Sequence, residues 1–271
     1  MSYELLFLDM DGTLKQEPDQ ISETNKEAIR LACQIGKKVM IASGRNRDLI
    51  LTTIRELHLD KYGESFTIAL NGAHIIDNTG RTLHTEPISL TLTRYLFEKA
   101  FEYEISCHVY TENYVYFNYR DFQFEWYQKN GCDCRLVTME HPELDLKEIP
   151  LKFYLFSKDE DKLKLYKQET EKVTNGILNA EFSSRYSLEF TSIHASKGLG
   201  LEYVCGLFGL PLASAIAAGD GENDISMLKM AGLGIAMKNA LDSVKAIADT
   251  ITKRTCKEDG VTEIIEDYLI G

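Results

Sequence analysis

Apolar residues recur along this chain in two rhythms, and the alternation between them outlines its organisation. Residues 3–8 form a short apolar run that ends on acids, which predicts a buried strand. Ser22 stands where it can cap a helix whose apolar positions Ala28, Leu31, Ala32 and Ile35 share one face before Gly36 stops it. Lys38 to Ala42 predicts a second buried strand, Leu49, Ile50, Thr53, Ile54 and Leu57 repeat at helical spacing, and Phe66 to Leu70 predicts a third strand. The order β-α-β-α-β belongs to a parallel sheet wound with right-handed crossovers. After it, Asn71-Gly72 and Asn78-Thr79-Gly80 punctuate short extended runs that read as a hairpin leading out of the sheet.

From about residue 84 aromatics become dense, from Tyr95 and Phe97 through Tyr110, Tyr116 and Phe117 to Trp126 and Tyr127, and the strands alternate. The predicted elements are helix 90–102, strands 105–111 and 114–118, helix 121–130, strand 149–157, helix 160–173 and strand 177–183, an open α+β layer. Near residue 187 the chain is expected to return, because Lys197 to Leu207, Ala213 to Ala218, Glu222 to Ala231, Leu233 to Ala236, Ala240 to Ala246 and Gly260 to Leu269 resume an α/β order. The expected architecture is an α/β core from residues 1–83 and 188–271, with an inserted α+β domain at 84–187.

Composition narrows the function. The chain has 271 residues, 44% of them hydrophobic, enough for a sizeable core, and a net charge of −12 argues against a nucleic-acid or anionic-membrane surface. No stretch approaches a membrane span and no signal segment precedes the first strand, so the expected address is cytoplasmic. The six cysteines lack C-x-x-C pairing, and Cys33 and Cys205 read as small buried residues on helices. Histidines lack metal-ligand spacing and there is no serine elbow, which leaves neither a zinc hydrolase nor a Ser-His-Asp hydrolase supported.

The chemistry lies where strands should end. Asp9 and Asp11 are spaced i, i+2 at the end of the first strand, so both point the same way, into the crevice where open α/β sheets bind ligands. Gly12 lets the chain leave sharply. Two like charges so close repel unless a cation lies between them, and Mg2+, which is hard and prefers oxygen, is the expected one. Ser43 and Gly44, after the second strand, offer a hydroxyl and an amide that suit a phosphate oxygen or simply make a turn. Lys197 opens a helix, an unfavourable place for a cation unless an anion is near; otherwise it is a surface lysine. Asp220, Glu222, Asn223 and Asp224 crowd a glycine turn after a small-residue strand, with Asp220 as the metal ligand, Asp224 a further ligand, a partner of the ligands or a helix cap, and Glu222 facing solvent.

In this order, Asp9-Met10-Asp11-Gly12-Thr13, Ser43-Gly44-Arg45, Lys197 and Gly219-Asp220-Gly221-Glu222-Asn223-Asp224 resemble the haloacid dehalogenase superfamily. The insertion between the second and third segments, the Asn71-Gly72 turn and Glu258-Asp259-Gly260-Val261 resemble its Cof-type phosphatases with a type IIB cap. The resemblance implies a Rossmann-like core with the inserted domain as a cap. It implies that Asp9 attacks phosphorus to form an aspartyl-phosphate and that Asp11 serves as acid and then base. It also implies Mg2+ held by the side chains of Asp9 and Asp220 and the main-chain carbonyl of Asp11, with Ser43, Gly44, Lys197 and Asn223 around the phosphate. Halide displacement is disfavoured, because dehalogenases of the superfamily lack the second acid.

The leading expectation is therefore a Mg2+-dependent phosphatase of a small phosphorylated metabolite, a sugar phosphate or a phosphorylated cofactor. A phosphosugar mutase and a non-catalytic ligand-sensing protein are the alternatives, and the intact set of acids argues against the second. Arg120 and Lys152 read as ordinary surface charges or as partners of a second anionic group, Arg45 as a residue that orients its loop or meets substrate, and the aromatic residues of 110–127 as packing or a stacking surface for a ring.

Overall fold

The computed structural model describes residues 3–16 and 20–271, so residues 1, 2 and 17–19 of the expected core lie outside the described residues. The chain runs β1 (Leu5–Asp9), α1 (Glu23–Gln34), β2 (Lys38–Ala42), α2 (Arg47–Glu56), β3 (Phe66–Ala69), β4 (His74–Asp77) and β5 (Thr82–Thr85). There follow α3 (Leu90–Glu102), β6 (Ser106–Tyr110), β7 (Tyr114–Phe117), α4 (Phe122–Lys129), β8 (Asp133–Leu136), β9 (Lys152–Phe156), α5 (Glu160–Thr174), β10 (Leu178–Ser184) and β11 (Ser187–Ser192). The last third contributes α6 (Lys197–Phe208), β12 (Ala215–Gly219), α7 (Ile225–Met230), β13 (Leu233–Ala236), α8 (Asp242–Lys245), β14 (Thr250–Ile251) and α9 (Gly260–Ile264). Two compact units result: residues up to 45, 50–83 and 196–271, and residues 46–49 with 84–195.

The first unit is built on a sheet of order β14-β13-β12-β1-β2-β3-β4-β5. From β14 to β3 every neighbour is parallel, and β4 pairs antiparallel with β3. The central strands β1 and β12 are buried on both faces, which is why they read as unbroken apolar or small-residue runs. Register sets the functional end: Asp9 pairs with Ala42, and Gly219 with Ala236, so the loops after β1, β2 and β12 leave the sheet side by side. The hairpin β4-β5 extends this sheet instead of leading out of it, because Asn71 and Gly72 reverse the chain onto β3.

Ser22 caps α1, its Oγ accepting from the Asn25 amide at 3.1 Å. The buried face of this helix differs from expectation: Asn25, Ala28, Ile29, Ala32 and Cys33 pack inward, while Leu31 and Ile35 are exposed. The partner helix α9 packs against this face, and its Thr262 donates backbone and side-chain hydrogen bonds to Asn25 Oδ1 at 3.0 and 2.8 Å.

The second unit has a sheet of order β10-β11-β9-β6-β7-β8, antiparallel except for the parallel β7-β8 pair. Strand alternation sends Cys107, Val109, Phe153, Leu155, Leu188 and Phe190 to one face, where they form a core with Leu96, Phe97, Leu163 and Tyr166 of α3 and α5. The opposite face carries His108, Tyr110 and Tyr154, with Phe124 and Tyr127 of α4 packed beside them. Two strands of this unit escaped the sequence reading, as did the short β14 of the first. β8 is a short polar edge strand, and β11 occupies the place where the chain was expected to return. Since Ser187–Ser192 pairs with both β9 and β10, the second unit continues to Ala195, beyond the expected boundary at 187. Lys152 also departs from expectation: it is buried and paired with Glu189 at 2.6 Å, whereas Arg120 is an exposed charge paired with Glu125.

Candidate active site

At the carboxyl end of the first unit's sheet, β1 delivers Asp9 and β12 delivers Asp220 and Asp224. One carboxylate oxygen of each lies within 4.8 Å of the others. The turn after β1 is closed by Leu14 N and Lys15 N, which donate to the carbonyls of Asp9 and Met10 at 3.3 and 2.7 Å. Gly12 sits in this turn at φ +89°, and a Cβ there would overlap the Asp220 carboxylate. Thr13 fixes that same carboxylate by donating to Oδ1 at 2.9 Å.

Lys197, the first residue of α6, is fully buried and donates from Nζ to Asp9 Oδ1 at 2.5 Å and Asp224 Oδ1 at 2.6 Å. The cation that looked misplaced at a helix start thus has two anions. Asp224 turns its other oxygen to the backbone: Oδ2 accepts from the amides of Asp220 and Gly221 at 2.9 Å each. Its acceptor capacity is therefore spent on the loop and on Lys197, which leaves Asp9 and Asp220 with the freer oxygens.

The charge count is unequal, three carboxylates against one ammonium in a buried place. Burial first, then Asp224 and Asp220, push the Asp9 carboxyl well above the usual range, although Lys197 opposes them. Burial, reinforced by Asp224, pushes Asp220 up to about 6 despite the Thr13 hydrogen bond. Burial pulls the Lys197 ammonium down, but Asp224 and Asp9 outweigh it and hold its proton more tightly than usual. A leftover negative charge on hard oxygen donors fits a divalent cation such as Mg2+.

Ser43 and Gly44 follow β2 in the same unit. Ser43 is buried; its amide donates to the Ile68 carbonyl at 2.8 Å, and its carbonyl accepts from Asn71 N at 3.0 Å. Asn71, in the left-handed region at φ 55°, accepts from Asn223 Nδ2 at 3.1 Å and lies against Gly44, where a Cβ would come within 3.1 Å of its Oδ1. Asn71 thus ties the Ser43-Gly44 loop to Asn223, a link that the sequence hinted at only as a turn. Asn239 is a second missed residue, donating to the Gly12 carbonyl at 2.8 Å and accepting from Cys256 N at 2.8 Å. Asp11 stands apart from the buried acids: its side chain is half-exposed and turned to the Arg45 guanidinium.

Among the described residues no helix is long and apolar enough to cross a membrane. The sequence matches the family of haloacid dehalogenase-like hydrolases over residues 6–265. It is 32% identical to a 5-amino-6-(5-phospho-D-ribitylamino)uracil phosphatase of Bacillus subtilis, YcsE, over 98% of this chain and 96% of that protein. Its fold superposes with a TM-score of 0.88 on a haloacid dehalogenase-like hydrolase from Bacteroides thetaiotaomicron, 30% identical, covering 98% of this chain and 99% of that one. A subclass IIB sugar phosphatase, BT4131, shares the fold at a TM-score of 0.82 and 24% identity, over 98% of both chains.

Proposed function

The chain belongs to the haloacid dehalogenase-like hydrolase family, and we propose that it is a Mg2+-dependent phosphatase that works through an aspartyl-phosphate on Asp9. The observation that carries this reading is the Lys197 ammonium clamped between Asp9 and Asp224 beside Asp220, a buried cluster with negative charge to spare. Asp9, Asp220 and the main-chain carbonyl of Asp11 would hold the Mg2+, which when bound supplies charge neutralisation for the phosphoryl oxygens.

In the first half-reaction a carboxylate oxygen of Asp9 attacks phosphorus. The bond from phosphorus to the ester oxygen breaks, and the departing oxygen takes the proton of the Asp11 carboxyl. In the second, water attacks phosphorus and gives a proton to the Asp11 carboxylate, and the bond to Asp9 breaks, which releases inorganic phosphate and restores both acids. Lys197, the Ser43 hydroxyl and the Gly44 amide would hold phosphoryl oxygens, with Asn223 orienting the group through its tie to Asn71. The second unit would act as the cap that excludes water during the first step.

For the substrate we propose a small phosphomonoester of a sugar or a polyol-bearing ring, in keeping with the phosphoribitylaminouracil phosphatase among its relatives. Phosphate release from a panel of such esters, with and without chelator, tests this. Activity that vanishes with chelation and in Asp9→Asn supports it, and chelator-resistant release contradicts it.

A further inference from the structure

Arg45 is the residue for which the reading above has no task. Its side chain makes a two-pronged pair with Asp11: Nε donates to Oδ2 at 3.0 Å and Nη2 to Oδ1 at 2.5 Å. Its backbone is held as well, with the amide donating to Ser43 Oγ at 3.1 Å and the carbonyl accepting from Leu70 N at 3.0 Å. The guanidinium therefore projects from a clamped stretch of chain, and the stretch is the one that carries Ser43 and Gly44.

A half-exposed ion pair of this kind contributes little to stability, about 0–1 kcal/mol, so holding the fold is a poor explanation for it. Its geometry says more. A planar fork fixes both the position and the plane of a carboxylate, which a single hydrogen bond does not. Asp11 needs that, because it lies past the end of β1, just before Gly12, and its side chain lies outside the buried cluster that orients Asp9 and Asp220. Both members of the pair also border a groove of about 660 Å³ within the first unit, lined further by Lys15, Asn239 and Lys257, which leaves the Asp11 carboxylate reachable by a departing alcohol or an entering water.

We propose that Arg45 is a positioning residue for the reaction: it aims the Asp11 carboxylate and couples it to the Ser43-Gly44 loop, so that proton transfer and phosphate grip share one frame. The inference rests on the phosphatase reading of Asp11.

The test is a double-mutant cycle on p-nitrophenyl phosphate with saturating Mg2+, using Arg45→Ala, Asp11→Asn and the pair, with Arg45→Lys alongside and thermal midpoints recorded for each. A misaimed group costs on the order of 10²-fold, so Arg45→Ala lowers kcat by about that factor while KM changes by less than about threefold. In the Asp11→Asn background the same substitution has almost no further effect, since the group it aims is gone. Arg45→Lys keeps the charge without the fork and restores only part of the rate. Equal losses in both backgrounds, or a loss confined to KM, would overturn the proposal and make Arg45 a substrate contact. A wild type that releases no phosphate from any ester overturns the phosphatase reading and this inference with it, an outcome distinct from an active wild type with additive losses.

Discussion

Each unit of this protein buries a lysine against carboxylates, and the two cases are not alike. In the second unit Lys152 faces Glu189 at 2.6 Å, its ammonium 5.8 Å from the centre of the Tyr110 ring. The polar groups around it stay neutral. Burial, with Lys152 adding to it, pushes the His108 imidazole well below its usual range, and burial pushes the Tyr110 phenol well above its own. His108 Nε2 meets the Tyr110 hydroxyl at 2.8 Å, and that hydroxyl meets Tyr127 at 2.6 Å. In the first unit Lys197 faces two carboxylates with a third beside them. A buried lysine is thus no mark of a site. What sets the first cluster apart is the charge left over after pairing, three carboxylates against one ammonium.

The sharpest way to break that comparison is to remove each ammonium. Lys197→Met leaves Asp9 and Asp224 facing each other in a dry site, and about 3–5 kcal/mol of stability should be lost in urea titrations at neutral pH. Lys152→Met leaves the less buried Glu189, and the loss should be about 1–3 kcal/mol. Equal losses would mean that the two clusters do not differ as described. Mg2+ should return part of the loss in the first variant and none in the second.

Gly12→Ala comes next. It forces a side chain into the left-handed region and against the Asp220 carboxylate, at a cost of about 1–3 kcal/mol in thermal unfolding. Its Mg2+ stabilisation should shrink as well, because Asp220 must shift.

The smallest effect is a graded one with pH. Asp220 is held up to about 6, above its ordinary value, so the folded state keeps this proton more tightly than the unfolded chain does. That advantage is complete at low pH and disappears as pH rises through about 6. The chelator-treated protein should therefore melt at a higher temperature at pH 5 than at pH 8, and Mg2+ should raise the midpoint more at pH 8. A midpoint gain from Mg2+ that is larger at pH 5 would contradict the cluster as drawn.

Much of this could be read in the sequence, for physical reasons. Buried strands that end on acids, a glycine turn and a small-residue strand are local patterns, so Asp9 and Asp220 stand out in the sequence, and Lys197 stands out as a cation at a helix start. Contacts between distant segments were not legible. Nothing near Asn25 announces Thr262, so the inward face of α1 was misjudged. Nothing near Asn71 announces Asn223, and nothing near Arg45 announces Asp11. β11 was missed because its alternation is only six residues long and lies where a return to the first unit was expected. Lys152 looked like a surface charge because burial depends on Glu189 across the strand pair, not on its neighbours in sequence.

On the reading above, the surplus of negative charge at the ends of β1 and β12 is a divalent-cation site. Calorimetric titration of Mg2+ into chelator-treated protein tests it directly, with Asp220→Asn and Lys152→Met as companions. Saturable binding of one Mg2+ per chain is expected, lost in Asp220→Asn and kept in Lys152→Met. Binding that survives Asp220→Asn unchanged, or a wild type that binds no Mg2+ at all, would contradict it.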